Sequence, residues 1–279
     1  MTTHKGKLSG QVIRGYRLLD KVASGGFSVI YRGFQLKEQR DVAVKVMLPK
    51  FIADDETVRR FEQEAQLVQE LRHAHIVPIY DMWHAQDRVF IVMKWMSGGT
   101  LRDKLEGQTM LSPEATLAIL EDVTQALTVA HAKNVIHRDI KPPNILFDNE
   151  TNAYLSDFGL AKKLNTVKPI TTQGITIGTI RYLSPEQIMD TGISPRSDIY
   201  ALGITLFECL TGKHPLGEFE AELKWLAKVI RDETPPVTSF NPALPPALND
   251  ILIRATAKKS EARQASVEAL LDEFRAAVL

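Results

Sequence analysis

The sequence predicts an α+β chain with two lobes, a small β-rich part up to about residue 96 and a larger, mainly helical part after it. Short runs of strand-forming residues fill most of the first third of the chain, and helical spacing of apolar residues dominates the rest. Ser97, Gly98 and Gly99 interrupt the pattern between the two parts. A length of 279 residues suits one two-lobed unit or two small domains.

The small part is predicted to consist of strands and one helix. Residues 1–12 are expected to form a flexible lead-in, and the lobe itself to span residues 13–96. Strands are predicted over residues 16–22, 29–34, 41–47, 79–82 and 89–93. Apolar residues spaced three and four apart predict a helix over residues 55–72.

The large part, residues 97–279, is predicted to be mainly helical. Ser112, Pro113 and Glu114 combine a cap, a first-turn proline and a favourably placed acid, so a helix should begin there and end near residue 132. Further helices are expected over residues 197–210, 218–231, 246–257 and 266–278.

Composition and charge restrict the function classes. A hydrophobic fraction of 44% and a charged fraction of 24% exclude a disordered chain. Basic and acidic residues balance at 34 each, so we expect no nucleic-acid partner. The single cysteine, Cys209, excludes an internal disulfide framework. No apolar stretch reaches the ~18 residues that span a bilayer. A cytoplasmic location is therefore expected, for this chain alone or as the cytoplasmic domain of a longer, membrane-anchored or multidomain protein.

Lys45 is a candidate anion-binding residue. Strand alternation places it on one face with Ala43, opposite the valines of the same strand. An inward lysine needs an anion, since an unpaired buried charge costs several kcal/mol. Glu64 lies about 50° from the centre of its helix's apolar stripe and could supply that anion. Two unrelated surface charges are the alternative.

The segment from His137 to Asn144 carries the most specific signal. It holds the acid Asp139, the base Lys141 and an amide in a region where prolines prevent a helix. Asp157 follows Asn144 by 13 residues, and a hairpin between them would bring the two side by side. Amide and carboxylate oxygens suit Mg²⁺ and do not suit zinc.

These motifs resemble those of the protein kinase superfamily over about residues 16–274. The glycine turn, the strand with Lys45, His-Arg-Asp with Asn144 five positions after Asp139, and Asp-Phe-Gly beginning at Asp157 occur in the expected order. Ser184-Pro185-Glu186 replaces the usual Ala-Pro-Glu. The runs Ser-Asp-Ile-Tyr-Ala-Leu-Gly at residues 197–203 and Ser-Pro-Glu-Gln at residues 184–187 are most similar to bacterial (eukaryotic-like) Ser/Thr protein kinases. The resemblance implies their two-lobed protein-kinase-like fold.

The resemblance also implies roles for the residues of the reaction. Lys45 should hold the α- and β-phosphates of ATP and be oriented by Glu64. Asn144 and Asp157 should ligate Mg²⁺, for which Mn²⁺ could substitute. Asp139 should orient the substrate hydroxyl and accept its proton.

Lys141 should add positive charge near the γ-phosphate, and its place in the motif implies a Ser/Thr rather than a Tyr acceptor. Protein substrates and a role in signal transduction follow from the same resemblance.

The nucleotide pocket is implied in the same way. Its residues should be Val22, Ala23, Ser24, Gly25, Gly26, Phe27, Ser28, Val29, Ile30, Ala43, Met93, Lys94, Trp95 and Met96. Ala23 and Ser28 replace two of the three family glycines of the phosphate loop, and a plain hairpin turn is the alternative interpretation of that loop. Met93 should limit the back of the adenine pocket, or serve simply as a core residue.

Two structural pairs and a regulatory site complete the expectations. Asp198 should bind the backbone of residues 137–138, and Arg263 should pair with Glu186. Thr171 or Thr172 should be autophosphorylated, through a transient homodimer acting in trans, and should then pair with Arg138; ordinary loop threonines are the alternative.

Two rival classes stay open, a pseudokinase scaffold and a small-molecule kinase. Lys45, Asp139 and Asp157 argue against the first. Ser184-Pro185-Glu186 and Arg263 argue against the second, because the resemblance implies that they build the peptide-binding platform.

Overall fold

The structure is a computed structural model. A six-stranded antiparallel sheet forms the first part of the molecule. The strands are β1 Val12–Ile13, β2 Tyr16–Ser24, β3 Ser28–Gln35, β4 Arg40–Met47, β5 Ile79–Ala85 and β6 Arg88–Lys94. Their spatial order is β1-β2-β3-β4-β6-β5. The structure describes residues 6–25, 28–47, 66, 68–85, 88–108, 110–149, 151–158 and 180–279.

One face of this sheet carries a hydrophobic core. Trp83 stacks between the rings of Tyr16 and Phe90, with ring centroids 5.6 and 5.0 Å away. Alternate residues of β4 point into this core, namely Val42, Val44 and Val46. Each is at most 3% exposed, so the predicted alternation of β4 is confirmed.

The start of the chain requires a correction to the expected lead-in. Leu8 is buried and belongs to the same core, and its backbone N–H donates to the hydroxyl of Tyr31. The Gly10 N–H donates to the Leu18 carbonyl at 2.7 Å, and β1 pairs with β2. Residues 6–12 therefore pack against the sheet. A lone leucine among polar residues produces no periodic pattern, which is why the sequence did not indicate this contact.

The second part of the molecule is mainly helical. Its helices are α1 Leu101–Gln108, α2 Pro113–Ala132, α3 Pro185–Met189, α4 Pro195–Thr211, α5 Glu222–Arg231, α6 Ala247–Ala255 and α7 Val267–Val278. Every residue of α4 from Ser197 to Thr211 is buried, and α2 packs against α7. A two-stranded sheet, β7 Ile145–Phe147 and β8 Ala153–Leu155, lies against α2.

The chain divides into two compact units, so the predicted fold class is confirmed. Among the described residues, the first unit contains those up to Arg72 and Val77–Ser97, and the second contains His73–Ile76 and those from residue 98 onward. The helices of the described ranges include none with the length and apolar character required to cross a membrane.

Most predicted elements are confirmed to within a few residues. Ser112 accepts the Ala115 N–H at 3.2 Å and caps α2 as expected. Helix α5 begins at Glu222 rather than at residue 218, because Gly217 adopts a positive φ of 78° and Ala221 is extended. Helices α1 and α3 and strand β1 were not predicted. The helix predicted over residues 55–72 lies mostly outside the described residues.

Candidate active site

The segment between α2 and β7 is held by a buried histidine. His137 is fully buried, and its Nε2 lies 2.9 Å from the Ser156 carbonyl while its Nδ1 accepts the Asp139 N–H at 3.2 Å. This pattern assigns the proton to Nε2. Burial lowers the pKa of His137, so the ring is neutral and serves as a structural bridge.

Asp198, at the start of α4, fixes the backbone of the same segment. Its carboxylate accepts the N–H of His137 at 2.9 Å and the N–H of Arg138 at 2.8 Å. It also lies 2.8 Å from Nε2 of His131, near the end of α2. Asp198 is completely buried, so these contacts satisfy a carboxylate that water cannot reach. The predicted pairing with the backbone of residues 137–138 is confirmed.

Asp139 sits between a cation and an amide. Nζ of Lys141 lies 2.8 Å from Asp139 Oδ2. The side chain of Asn144 donates to the same oxygen at 2.9 Å and to the Asp139 carbonyl at 2.8 Å. These contacts fix the position of the carboxylate, and all three residues are among those that the sequence singled out.

The β7–β8 hairpin brings the backbones around Asn144 and Asp157 close together. Ile145 pairs with Leu155, and the Ser156 N–H donates to the Asn144 carbonyl at 2.9 Å. Asp157 follows directly with a φ of 58°, a left-handed conformation that aspartate tolerates better than most residues. Phe158 is buried, with its ring centroid 4.5 Å from that of His137. The predicted hairpin is confirmed; metal binding by this pair stays a prediction.

A buried ion pair ties α3 to the segment before α7. Arg263 donates to both carboxylate oxygens of Glu186, at 2.7 and 2.8 Å. The hydroxyl of Ser197 also donates to Glu186 at 2.7 Å. Burial acts to raise the pKa of Glu186, but the hydrogen bonds and charge of Arg263 outweigh it and hold the pKa below its usual value. The predicted Glu186–Arg263 pair is confirmed.

In the first unit, one face of the sheet gathers several predicted nucleotide-binding residues. Lys45 pairs across the sheet with Ile30 on β3 and Ile91 on β6, and Ala43 pairs with Met93. Directly opposite residues of neighbouring strands share a face. Ile30 pairs in turn with Ala23. The shared face therefore carries Ala23, Ile30, Ala43, Lys45 and Met93.

Val29 requires a correction, because it lies on the opposite face. It packs against the hydrophobic core of the sheet, whereas Ile30 shares the face of Lys45. Strand alternation separates the two side chains, so only Ile30 of this pair is positioned beside Lys45. Val22 and Ser24 lie on β2, and Ser28 begins β3.

The turn between β2 and β3 is described only in part. The Gly25 N–H donates to the Ser28 carbonyl at 2.8 Å. Gly26 and Phe27 lie outside the described residues. Glu64, Thr171 and Thr172 also lie outside them, so the pairing of Glu64 with Lys45 and the two phosphorylation sites stay predictions.

The segment after β6 carries the predicted hinge. Met93 and Met96 are buried, while Lys94 and Trp95 are half-buried. The Lys94 N–H donates to the Pro78 carbonyl at 3.0 Å and is thereby engaged within the protein. Any adenine contact in this segment must therefore use other backbone groups.

Comparison with known proteins decides the family. The model of the protein kinase domain matches residues 16–274. The chain belongs to the protein kinase family. This kinase domain is 36% identical over 271 residues to the serine/threonine-protein kinase PrkC of Bacillus subtilis. It is 35% identical over 255 residues to the serine/threonine-protein kinase PknL of Mycobacterium tuberculosis.

The two matches cover most of this kinase domain but only part of each relative's own length. The PrkC match covers 97% of this chain and 42% of the relative, and the PknL match covers 91% and 63%. Among solved structures, a crystal structure of the Mycobacterium tuberculosis PknI kinase domain aligns with a TM-score of 0.76 at 25% identity. That alignment covers 96% of this chain and 98% of the other.

Some contacts of the kinase domain had no signal in the sequence. His131 reaches Asp198 across 67 residues, and the side chain of Gln187 donates to the Arg138 carbonyl across 49. His131 belongs to no recognised motif, and Gln187 ends the run Ser-Pro-Glu-Gln, which does not indicate its partner. Only the tertiary arrangement of α2, α3 and α4 brings these groups together.

Proposed function

We propose that this domain is a serine/threonine-protein kinase that transfers the γ-phosphate of ATP to hydroxyl groups of protein substrates. One observation carries the proposal: the Asp139 carboxylate is held by Lys141 at 2.8 Å and by Asn144 at 2.9 Å. A fixed carboxylate can orient a substrate hydroxyl and take its proton, while an adjacent ammonium offsets charge on the transferring group.

The donor set near Asp139 fits a magnesium ion. Asn144 uses its amide nitrogen to bind Asp139, so its amide oxygen faces away from that carboxylate. Asp157 offers a second hard oxygen ligand at the end of the same hairpin. We assign Asn144 and Asp157 as the ligands of Mg²⁺, with Mn²⁺ as a substitute. The ion would neutralise charge on the phosphates.

We assign ATP to the sheet face that carries Ala23, Ile30, Ala43, Lys45 and Met93. Small or apolar side chains there would contact the base, and Lys45 would hold the α- and β-phosphates. Orientation of Lys45 by Glu64 is part of the proposal. The remaining pocket contacts would come from Val22, the loop 24–28 and the hinge 94–96.

The whole protein's role is proposed from its relatives. The chain spans only 42% and 63% of the two curated relatives described above, both named serine/threonine-protein kinases. The proposal is a catalytic domain with a small lobe over residues 13–96, against which residues 6–12 pack, and a large lobe over residues 97–279, acting in cytoplasmic signal transduction within a longer protein. Autophosphorylation of Thr171 or Thr172 in a transient homodimer would regulate it.

A magnesium-dependent ATP assay with a generic basic protein tests the proposal. The variants Lys45→Met, Asp139→Asn and Asp157→Ala should each lower kcat/KM by about a thousandfold, because each removes a main electrostatic element. Lys224→Met and Asp272→Ala are matched controls, since these side chains are 71% and 73% exposed, and they should keep wild-type activity.

Two outcomes would overturn the assignment. If the wild-type protein transferred no phosphate to any polypeptide, a pseudokinase or a small-molecule kinase would be favoured, and small-molecule acceptors would separate those two. If Asp157→Ala retained full activity, the metal assignment would be wrong. Mass spectrometry of residues 160–181, with Asp139→Asn protein as the inactive control, tests the phosphorylation sites.

A further inference from the structure

Four residues of the second unit form what we call the arginine cluster: Arg102 of α1, Arg181 and Tyr182 before α3, and Glu208 of α4. The proposed transfer reaction does not use them. Arg181 and Tyr182 lie just before Ser184-Pro185-Glu186, the motif that begins α3. The cluster is therefore next to the segment that the family resemblance assigns to peptide binding.

Two partners hydrogen-bond to Oε2, one oxygen of the cluster's single carboxylate. Glu208 has a side chain only 5% exposed, and it accepts from the Tyr182 hydroxyl at 2.5 Å and from Arg102 at 3.0 Å. Burial, and then the charge of Glu208, raise the pKa of Tyr182 well above its usual value. Tyr182 therefore remains a neutral hydrogen-bond donor, and the positive charge of Arg102 compensates the negative charge of Glu208.

Arg181 is left with a positive charge and unused donors. Its Nη2 lies 3.8 Å from Glu208, which is beyond hydrogen-bond length. Within the part of the chain that the structure describes, its guanidinium makes no hydrogen bond, and its Nε is buried without a partner. The group packs over the Trp225 ring at 5.5 Å and keeps 29% of its side chain exposed. A guanidinium in this state suits a carboxylate ligand.

The neighbouring titratable groups do not cancel this charge. His214 contacts the Arg181 carbonyl through Nε2 at 2.9 Å, and burial lowers the pKa of His214 to about 3, so it stays neutral. Glu106 is an exposed residue one turn further along α1, and its negative charge interacts with the positive charge of Arg102. The contacts among the described residues thus set two arginine charges against the one carboxylate of Glu208, to which Arg102 is hydrogen-bonded while Arg181 is not, so the cluster keeps a net positive charge.

The arginine cluster is connected through α3 to the segment that holds Asp139, the proposed base. Gln187, in α3, donates to the carbonyl of Arg138, the residue directly before Asp139. The segment from Arg181 to Gln187 therefore leads from the cluster to the proposed base. An extended peptide advances about 3.3 Å per residue. A substrate with its hydroxyl at Asp139 would thus carry flanking side chains along this segment.

We propose that Arg181 selects protein substrates with an aspartate or glutamate close to the phosphorylated residue, and that Arg102 keeps Arg181 available by compensating the charge of Glu208. This inference rests on the proposed kinase function and extends it to a substrate class.

A peptide series tests the inference. Each peptide carries one threonine acceptor in an alanine background, with Glu, Gln or Lys placed singly at roughly four positions on either side. The wild-type protein should prefer Glu over Gln by about tenfold in kcat/KM at one or two positions, as expected for a charge-assisted hydrogen bond. Arg181→Gln should remove the preference, and Arg181→Lys should retain part of it.

Further variants separate selection from simple loss of structure. Arg102→Gln should weaken the preference, because the uncompensated charge of Glu208 would then draw Arg181 closer than its present 3.8 Å. The double variant R102Q/R181Q should favour Lys at the same positions, because Glu208 is released. Arg254→Gln removes an exposed arginine paired with Glu273 at 2.8 Å and should leave the profile unchanged. A thermal melt of each variant verifies folding, and the reversal of charge preference is an effect that unfolding cannot produce.

The outcomes distinguish the two proposals. If the wild-type protein phosphorylates the generic basic protein but shows a flat profile across the peptides, the Arg181 inference is overturned and the kinase function stands. If Arg181→Gln keeps the full preference, the inference is likewise wrong. If no polypeptide is phosphorylated, the kinase proposal itself fails.

Discussion

Replacing Arg263 with alanine should destabilise the second unit more than any exposed substitution. The Arg263 side chain is 0% exposed, and its guanidinium binds both oxygens of Glu186. It also donates to the carbonyls of Arg196 and Ala257, each at 2.8 Å, and lies 5.0 Å from the Tyr200 ring. One side chain thus joins α3, the start of α4 and the segment after α6.

The cost of this change follows from what is left behind. Glu186, whose side chain is 8% exposed, would keep only the hydroxyl of Ser197 as a side-chain donor, and three carbonyls, those of Arg196, Ala257 and Lys258, would lose a partner. Removing one member of a buried ion pair costs about 3–5 kcal/mol. For domains somewhat smaller than this one, each kcal/mol shifts Tm by roughly 2–4 °C, so we expect a decrease of roughly 10 °C.

Urea denaturation of the wild type, Arg263→Ala and Arg254→Ala measures the change in the free energy of unfolding. Arg254→Ala is the matched control, because Arg254 pairs with Glu273 at the same 2.8 Å but the two side chains are 49% and 33% exposed. An exposed pair contributes at most about 1 kcal/mol. The reasoning would be refuted if Arg263→Ala lost no more than about 1 kcal/mol, or if the control lost as much as Arg263→Ala.

Two further changes test the buried histidine and the start of the chain. An unfolded His214 has an ordinary pKa of 6.5, while burial lowers the pKa of the folded residue to about 3, so protonation favours unfolding as the pH falls. Between pH 7 and roughly pH 5 this group should cost about 2 kcal/mol, and His214→Gln should remove that part of the decline in urea midpoint; an equal decline in both proteins would contradict it. Leu8→Ala should cost about 2–3 kcal/mol because it opens a gap in the sheet core, whereas the exposed Lys7→Ala should cost under about 0.5 kcal/mol in the same assay. Equal stability of the Leu8 and Lys7 variants would show that residues 6–12 do not support the core.

The sequence carried local signals for much of the fold. Alternation in β4 identified which face receives Lys45, and Ser112 with Pro113 marked the start of α2. Family resemblance supplied the two long-range pairs, Asp198 with the 137–138 backbone and Glu186 with Arg263, and both are confirmed. These features depend on short motifs or on residue order, which one sequence contains.

The remaining features depend on register and packing. Ile30, rather than Val29, shares the face of Lys45 because of how β3 pairs with β4, and strand register cannot be read from either strand alone. The arginine cluster joins residues 80 and 106 positions apart, so no window of sequence contains it. Arg102 and Glu208 come into contact only when α1 and α4 pack together.

The three contacts of Asp198 have a consequence for timing. Ordering the backbone of one residue costs about 1–2 kcal/mol in conformational entropy. Because His137 and Arg138 are already anchored when the protein folds, that cost falls on folding and not on the arrival of a reactant. The binding free energy of the reactants is then available to align the reacting atoms. Such alignment gives a hydroxyl and a phosphate a high effective concentration relative to each other.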